Sequence, residues 1–159
     1  LGTSFLIIIN FFALCCYVLA MAKQQLQSSD LNKLIDKTVG QDIIFSYKRA
    51  SNILNDEIKK NKVELNETTD PGLFKNEFEK KLYKKIQEIR KYFTSLGSGE
   101  NCEKTLEVLA DAKVEVSNFF EHVVVNDDDE ILKKNRLELL QLLCKTFNNY
   151  INFSSIENT

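Results

Sequence analysis

Apolar residues recur about every 3.6 positions over most of this 159-residue sequence, and this period limits the fold more than any other feature. The clearest case runs from Phe74 to Leu96, where the apolar side chains fall within an arc of about 120° on a helical projection. A half-buried strand would instead alternate with a period of two. The pattern predicts a helix whose core-facing stripe is Phe74, Phe78, Leu82, Ile86, Ile89, Phe93 and Leu96.

The same period predicts four further helices. A short first helix ends at Gly40, and a second carries an apolar stripe from residue 43 to residue 58. A fourth spans residues 101–124, although the β-branched run at its end predicts early fraying or an extended segment. Residues 126–129, an asparagine followed by three aspartates, begin the fifth, where carboxylates suit the cap and the positive end of the helix dipole.

Short connections then decide the predicted topology. The segments after the third and fourth helices are only about four or five residues long, so successive helices should lie antiparallel. The predicted fold class is all-α, an antiparallel up-down helical bundle of four main helices with a short N-terminal helix. Residues 23–159 should form this bundle as a single domain, because a segment of this length is typical of one domain.

Residues 1–22 carry no charge and end on Ala20-Met21-Ala22, directly before Lys23. An apolar core closed by a small-x-small step is typical of a cleaved secretory signal peptide. The alternative is an uncleaved membrane anchor, since about 17–25 apolar residues can span a bilayer. The first interpretation predicts a secreted, extracellular protein with no stable membrane span.

Secretion would leave two cysteines, Cys102 and Cys144, because Cys15 and Cys16 depart with the signal. An oxidising route favours a disulfide between them. In a symmetric hairpin, however, the two would differ in height by roughly 13 Å. Two buried free thiols and an intermolecular bond are therefore the alternatives.

Two glycosylation sequons gain meaning only if the protein is exported. They begin at Asn66, in the longest polar connection, and at Asn152, near the end of the fifth helix. With export assumed, we expect a glycoprotein modified at one or both positions.

Charge is unevenly distributed along a chain whose net charge is only −2. Residues 75–91 carry +4, whereas residues 100–130 carry −8. The near-neutral total argues against a nucleic-acid partner. The lysines of the third helix could form a surface for an acidic partner, or a solvated face that complements the acidic fourth helix. They are Lys80, Lys81, Lys84 and Lys85.

A pocket between helices is the other candidate site. Lys113 and Arg136 fall near the middle of apolar faces, where they could receive an anionic ligand or simply extend their charges outward. Phenylalanines could line the same space or be ordinary core. The possible pocket comprises Phe78, Phe93, Lys113, Phe120, Arg136 and Phe147.

Nothing in the sequence assembles catalytic machinery. His122 is the single histidine, and the run 127–130 lacks the glycine and distal glutamate of a calcium loop. We therefore predict no enzyme, no metal and no cofactor. The leading hypothesis is a secreted non-enzymatic helical protein that binds a partner protein as an effector, ligand or modulator. The alternative is an extracellular carrier of a small apolar or amphipathic ligand.

Overall fold

This computed structural model describes residues 38–62, 64–95 and 102–151, and within them the secondary structure is helical, with no strand. The all-α prediction is confirmed. The predicted leader and most of the predicted first helix lie outside the described residues. The elements are α1 (Thr38–Asn61), a single 3-10 turn (Pro71–Leu73), α2 (Glu77–Ser95), α3 (Cys102–Ala110), α4 (Lys113–His122) and α5 (Glu130–Asn148).

Helix α5 packs against both α1 and α2, and α4 also contacts both of these helices. Eleven residues of α5 are buried, so α5 is covered on more than one face. An ion pair of 2.9 Å between Lys133 of α5 and Glu57 of α1 joins two of the elements. The hydrogen bond from Lys133 holds the pKa of the Glu57 carboxyl below its usual range.

The described part of the core is mainly aliphatic and aromatic, although some polar side chains such as Glu79 and Arg136 are also buried. Each main helix contributes side chains with almost no exposed surface, as the helical period predicts. The largest of these are Ile43, Leu82, Ile86, Ile89, Leu109, Phe119, Leu137, Leu139, Leu140, Leu143, Phe147 and Ile151. Among the residues described, no helix combines the length and apolarity needed to cross a membrane.

Helix α1 begins two residues before Gly40, so the prediction that this glycine ends a helix is wrong. A single glycine costs a helix only about 1 kcal/mol relative to alanine, which tertiary packing readily offsets. The following stripe is confirmed at Ile43, Ala50 and Leu54, which are buried. Ile58 departs from it and is 44% exposed.

The predicted fourth helix is two helices, α3 and α4, separated by a turn at Asp111 and Ala112. The Ala112 N–H donates to the Leu109 carbonyl at 3.2 Å, which tightens the end of α3. Helix α3 packs on α1, whereas α4 packs chiefly on α2. The turn therefore lets two apolar faces meet different partners. Helix α4 ends in extended backbone at Val123 (φ −119°, ψ 120°), which confirms the predicted extended ending.

Helix α2 begins at Glu77, three residues after the predicted start at Phe74. Before α2 lies the 3-10 turn, which is stabilised by a hydrogen bond of 2.8 Å from the Gly72 N–H to the Asp70 carboxylate. Phe74 caps that turn and is buried, 7% exposed. Its apolar position was predicted correctly, but it belongs to the connection and not to the helix.

Asp129 caps α5, which confirms the predicted role of the acidic run. Its Oδ1 accepts the N–H groups of Ile131 at 2.9 Å and Leu132 at 3.3 Å. We expect Asp129→Ala to lower the free energy of unfolding by about 1 kcal/mol, measured by urea denaturation. Asp128→Ala is the matched control, because it removes the same charge from the same helix end without removing the cap. Equal effects of the two substitutions would contradict the capping role.

Candidate functional site

The exposed face of α2 carries a stripe of three lysines. Lys80, Lys84 and Lys91 occupy positions i, i+4 and i+11 of the helix, which places them on one side of it, and all three are exposed. Lys84 approaches Glu88 only at 3.9 Å, and its side chain is 80% exposed. This basic stripe, defined by these three residues, therefore presents its charge to solvent.

The other two predicted lysines of this helix have closer partners. Lys81 pairs with Glu77 at 2.9 Å. Lys85 is only 21% exposed and lies 3.6 Å from Asp111, which follows α3. The sequence left two interpretations open, a partner surface or a complement to the acidic helix. Lys85 fits the second, whereas the basic stripe fits the first.

A stacked ring pair lies where α2 meets the end of α4. The ring centroids of Phe78 and His122 are 4.1 Å apart, with an interplanar angle of 19°. The Lys81 ammonium is 5.1 Å from the centre of the Phe78 ring, within the range of a cation–π contact. Nδ1 of His122 lies 3.0 Å from the Asn118 carbonyl. Because a carbonyl only accepts, Nδ1 carries the hydrogen of this bond, and Nε2 is directed elsewhere.

His122 is exposed, and nothing in the sequence indicated that it stacks on Phe78. The two rings belong to different helices, and no local pattern joins them. A contact of this kind follows only from the packing of α2 against α4.

Arg136 occupies a buried ionic cluster and not an open pocket. Its Nε donates to Glu79 at 2.9 Å, and its Nη1 donates to Asp127 at 2.6 Å and to the Val124 carbonyl at 2.9 Å. Glu79 in turn accepts the backbone N–H of Asn76 at 2.7 Å. Through Nε and Nη1 the guanidinium therefore joins α5, α2 and the extended segment after α4. The predicted anion pocket at Arg136 is not formed.

Asn135, one residue earlier, attaches the loop before α2 to α5. Its Oδ1 accepts the Asp70 N–H at 2.7 Å, and its Nδ2 donates to the Asp70 carbonyl at 3.0 Å. Thr69 Oγ1 lies 2.9 Å from the same Oδ1. This buried amide thus satisfies loop groups that would otherwise lose hydrogen bonds. Beside it, the loop and α5 form an open cleft of about 760 Å³.

The remaining residues of the predicted pocket are dispersed among separate contacts. Phe93 stacks on Tyr150 with ring centroids 3.6 Å apart, and Phe147 is completely buried. Lys113 forms an ion pair of 2.5 Å with Asp42 of α1. Phe120 lies under the guanidinium of Arg49, 4.4 Å from ring centre to Cζ. The open cleft beside Asn135 is lined by none of these residues.

Cys144 is a free thiol buried in α5, where desolvation raises its pKa to about 12. The structure therefore lacks the predicted disulfide at this residue. Cys102 is the first residue of α3, and its side chain lies outside the described part of the chain. A neutral, buried sulfur packs here as a small apolar group.

Of the two predicted glycosylation sites, only Asn66 lies within the described residues. It is exposed, and its backbone N–H donates to Glu138 at 2.9 Å. In the described ranges, no group of three or more His, Cys, Asp or Glu side chains could hold a metal ion. Asp127 and Asp129 instead serve Arg136 and the start of α5.

The described residues thus form an all-helical domain with a basic stripe, and comparison with known proteins gives its class. A family model of the DALR anticodon binding domain matches residues 43–157. The chain belongs to this family.

Curated relatives agree with the family match. The chain is 30% identical over 123 residues to the glycine–tRNA ligase beta subunit of Rickettsia prowazekii, covering 77% of this chain and 18% of that protein. The corresponding subunit of Rickettsia africae is 30% identical over 126 residues, covering 79% and 18%. That of Rickettsia bellii is 29% identical over 138 residues, covering 87% and 20%. The chain therefore spans about a fifth of the length of these relatives.

These matches correct the predictions of function. The sequence predicted a secreted, extracellular glycoprotein with a disulfide that acts as a non-enzymatic effector or ligand carrier. This prediction is wrong, because the chain matches a domain family of tRNA ligase subunits. The prediction of no enzymatic role is wrong in the same way, since the relatives are subunits of an enzyme. The exclusion of nucleic acid is also wrong. That exclusion failed because the net charge sums a basic segment and an acidic segment that lie on different elements.

Proposed function

We propose that this domain binds the anticodon region of tRNA as part of a glycine–tRNA ligase beta subunit. The observation that carries the proposal is the family match over residues 43–157. The similarity to glycine–tRNA ligase beta subunits supports tRNA for glycine as the ligand. Activity of the ligase as a whole would involve parts of the relatives that this chain does not match.

The basic stripe of α2 supplies the electrostatic part of the proposal. Exposed lysines bind the phosphates of a nucleic acid and release its condensed counterions. Lys80, Lys84 and Lys91 have the required exposure and lie on one side of a helix. Contacts of this type position an RNA but do not read its sequence.

The second proposal concerns the directions of the helices. We infer an antiparallel up-down bundle of four main elements, counting α3 and α4 as one, with a short helix before α1. Two pairs of contacts support parallel directions for α1 and α4, which an up-down order of four requires of its first and third members. They are Asp42 with Lys113 and, seven residues later on each helix, Arg49 with Phe120.

Neutralising the basic stripe tests the proposed function. We expect Lys80→Ala, Lys84→Ala and Lys91→Ala together to weaken binding of a tRNA-Gly transcript by about 10–100-fold near 0.1 M salt. The slope of log K against log salt should fall by about 2–3, since each phosphate contact contributes about 0.7–0.9. Fluorescence anisotropy of labelled tRNA, titrated with the full chain over a series of salt concentrations, measures both quantities.

The matched control is a triple alanine variant on α1, at Lys48, Lys59 and Lys60. These lysines are exposed, and replacing them removes the same amount of positive charge. It should retain most of the affinity. Equal losses in the two variants would show that only net charge matters and would contradict a role for the stripe. Absence of tRNA binding by the unmodified chain would contradict the proposed function itself.

A further inference from the structure

We propose that the stacked pair of Phe78 and His122 is a platform on which an unpaired base of the bound RNA loop stacks. The inference rests on the proposed function and adds a contact of a different kind. The basic stripe would hold phosphates, whereas the platform would hold a base by its ring face. Proteins that recognise single-stranded RNA commonly stack splayed bases on aromatic side chains, including histidine.

The geometry holds the imidazole in place before any ligand arrives. One face of the His122 ring lies on Phe78, at 4.1 Å between centroids. The Asn118 carbonyl fixes the ring edge through Nδ1 at 3.0 Å. The side-chain amide of Asn76 donates to the His122 carbonyl at 3.3 Å, which ties this end of α4 to the start of α2. His122 is exposed, so its side chain is accessible to a further aromatic group.

The surroundings favour an RNA base as that group. Val124, two residues further along the chain, is 69% exposed and adds apolar surface after this end of α4. The Lys81 ammonium, 5.1 Å from the centre of the Phe78 ring, is a cationic group beside the platform for an adjoining phosphate. The same ammonium pairs with Glu77 at 2.9 Å, so a phosphate would share it with that carboxylate.

Substitutions that separate stacking from charge test the platform. The ligand is the anticodon stem-loop of tRNA-Gly with 2-aminopurine at successive loop positions, mixed with the full chain. We expect quenching of the probe at one position, and His122→Ala should abolish this quenching and weaken binding by about tenfold. His122→Phe should retain both, because it keeps an aromatic face. Neither substitution should change the slope of log K against log salt, because that slope depends on the contacts of lysines with phosphates.

The outcomes distinguish the platform from the proposed function. A chain that binds no stem-loop would contradict the proposed function, and the platform with it. A chain that binds the stem-loop with equal affinity after His122→Ala, or that leaves every probe unquenched, would overturn the platform alone. A loss in His122→Phe equal to that in His122→Ala would also overturn it, since the imidazole would then act through hydrogen bonding or charge. Thermal unfolding of each variant checks that α4 is intact.

Discussion

Replacing Arg136 by methionine is expected to lower the free energy of unfolding by about 3–5 kcal/mol, the usual cost of removing one partner from a buried ion pair. Arg136 is 6% exposed, and its partner Glu79 is 1% exposed. Without the guanidinium, the Glu79 carboxylate would keep its backbone hydrogen bonds but lose the compensating charge. Urea denaturation of the wild type and the variant measures the difference.

Two further variants make this result interpretable. Lys145→Met removes a charge whose side chain is 47% exposed, and it should change stability by less than about 0.5 kcal/mol. The double variant Glu79→Gln with Arg136→Met should be more stable than the sum of its single changes predicts, because the two residues share one interaction. Additive effects would contradict the coupling between Arg136 and Glu79.

The same cluster gives a pH dependence. The backbone N–H of Asp129 and then the Arg136 guanidinium hold the pKa of the Asp127 carboxyl below its usual range. A carboxyl with a depressed folded pKa stabilises the protein at pH above its unfolded pKa, and this contribution is lost as the pH falls through the folded value. We therefore expect Arg136→Met to lose less stability than the wild type between about pH 5 and pH 2.

Phe119→Ala should destabilise the domain by about 3–5 kcal/mol, the usual cost of a large cavity in a packed core. Phe119 has no exposed surface and meets Phe120 edge to face at 5.4 Å between centroids. It lies on α4, whose contacts reach α1 and α2. The lost packing would therefore loosen three helices together.

Phe45→Ala is the matched control, because Phe45 is 52% exposed on α1. The same truncation there removes much less buried surface and should cost less than about 1 kcal/mol. Chemical denaturation of both variants gives the comparison. A cost at Phe119 as small as that at Phe45 would contradict its place in the core.

The positions of the predicted site residues show how far sequence reasoning reached. Lys80, Lys84 and Arg136 lie on helices, as predicted, and the two lysines are exposed, but the division of the predicted fourth helix was missed. Their partners were not predicted: Arg136 was expected beside an open pocket, but Glu79 and Asp127 occupy its donors. The spacing of apolar residues along a helix indicates which side faces inward, but it does not indicate which residue of another helix lies opposite.

The prediction of function failed for a related reason. It depended on residues 1–22 and on the net charge, and neither reports the shape or charge of a particular surface. The basic stripe of α2 is visible in the sequence, but the acidic run that offsets it numerically lies on other elements. Comparison with a known family was needed to identify tRNA as the expected ligand.

The sequence by itself determined the helices, the cap of α5 and the apolar stripes, because these depend on residues within about four positions of one another. Only the tertiary structure decided the division between α3 and α4, the cluster around Arg136 and the stacking of Phe78 on His122. Arg136 and Glu79 are 57 positions apart, and no local rule links them. Such contacts follow from the way whole helices pack, so the partners of Arg136 and His122 could be recognised only after the fold was known.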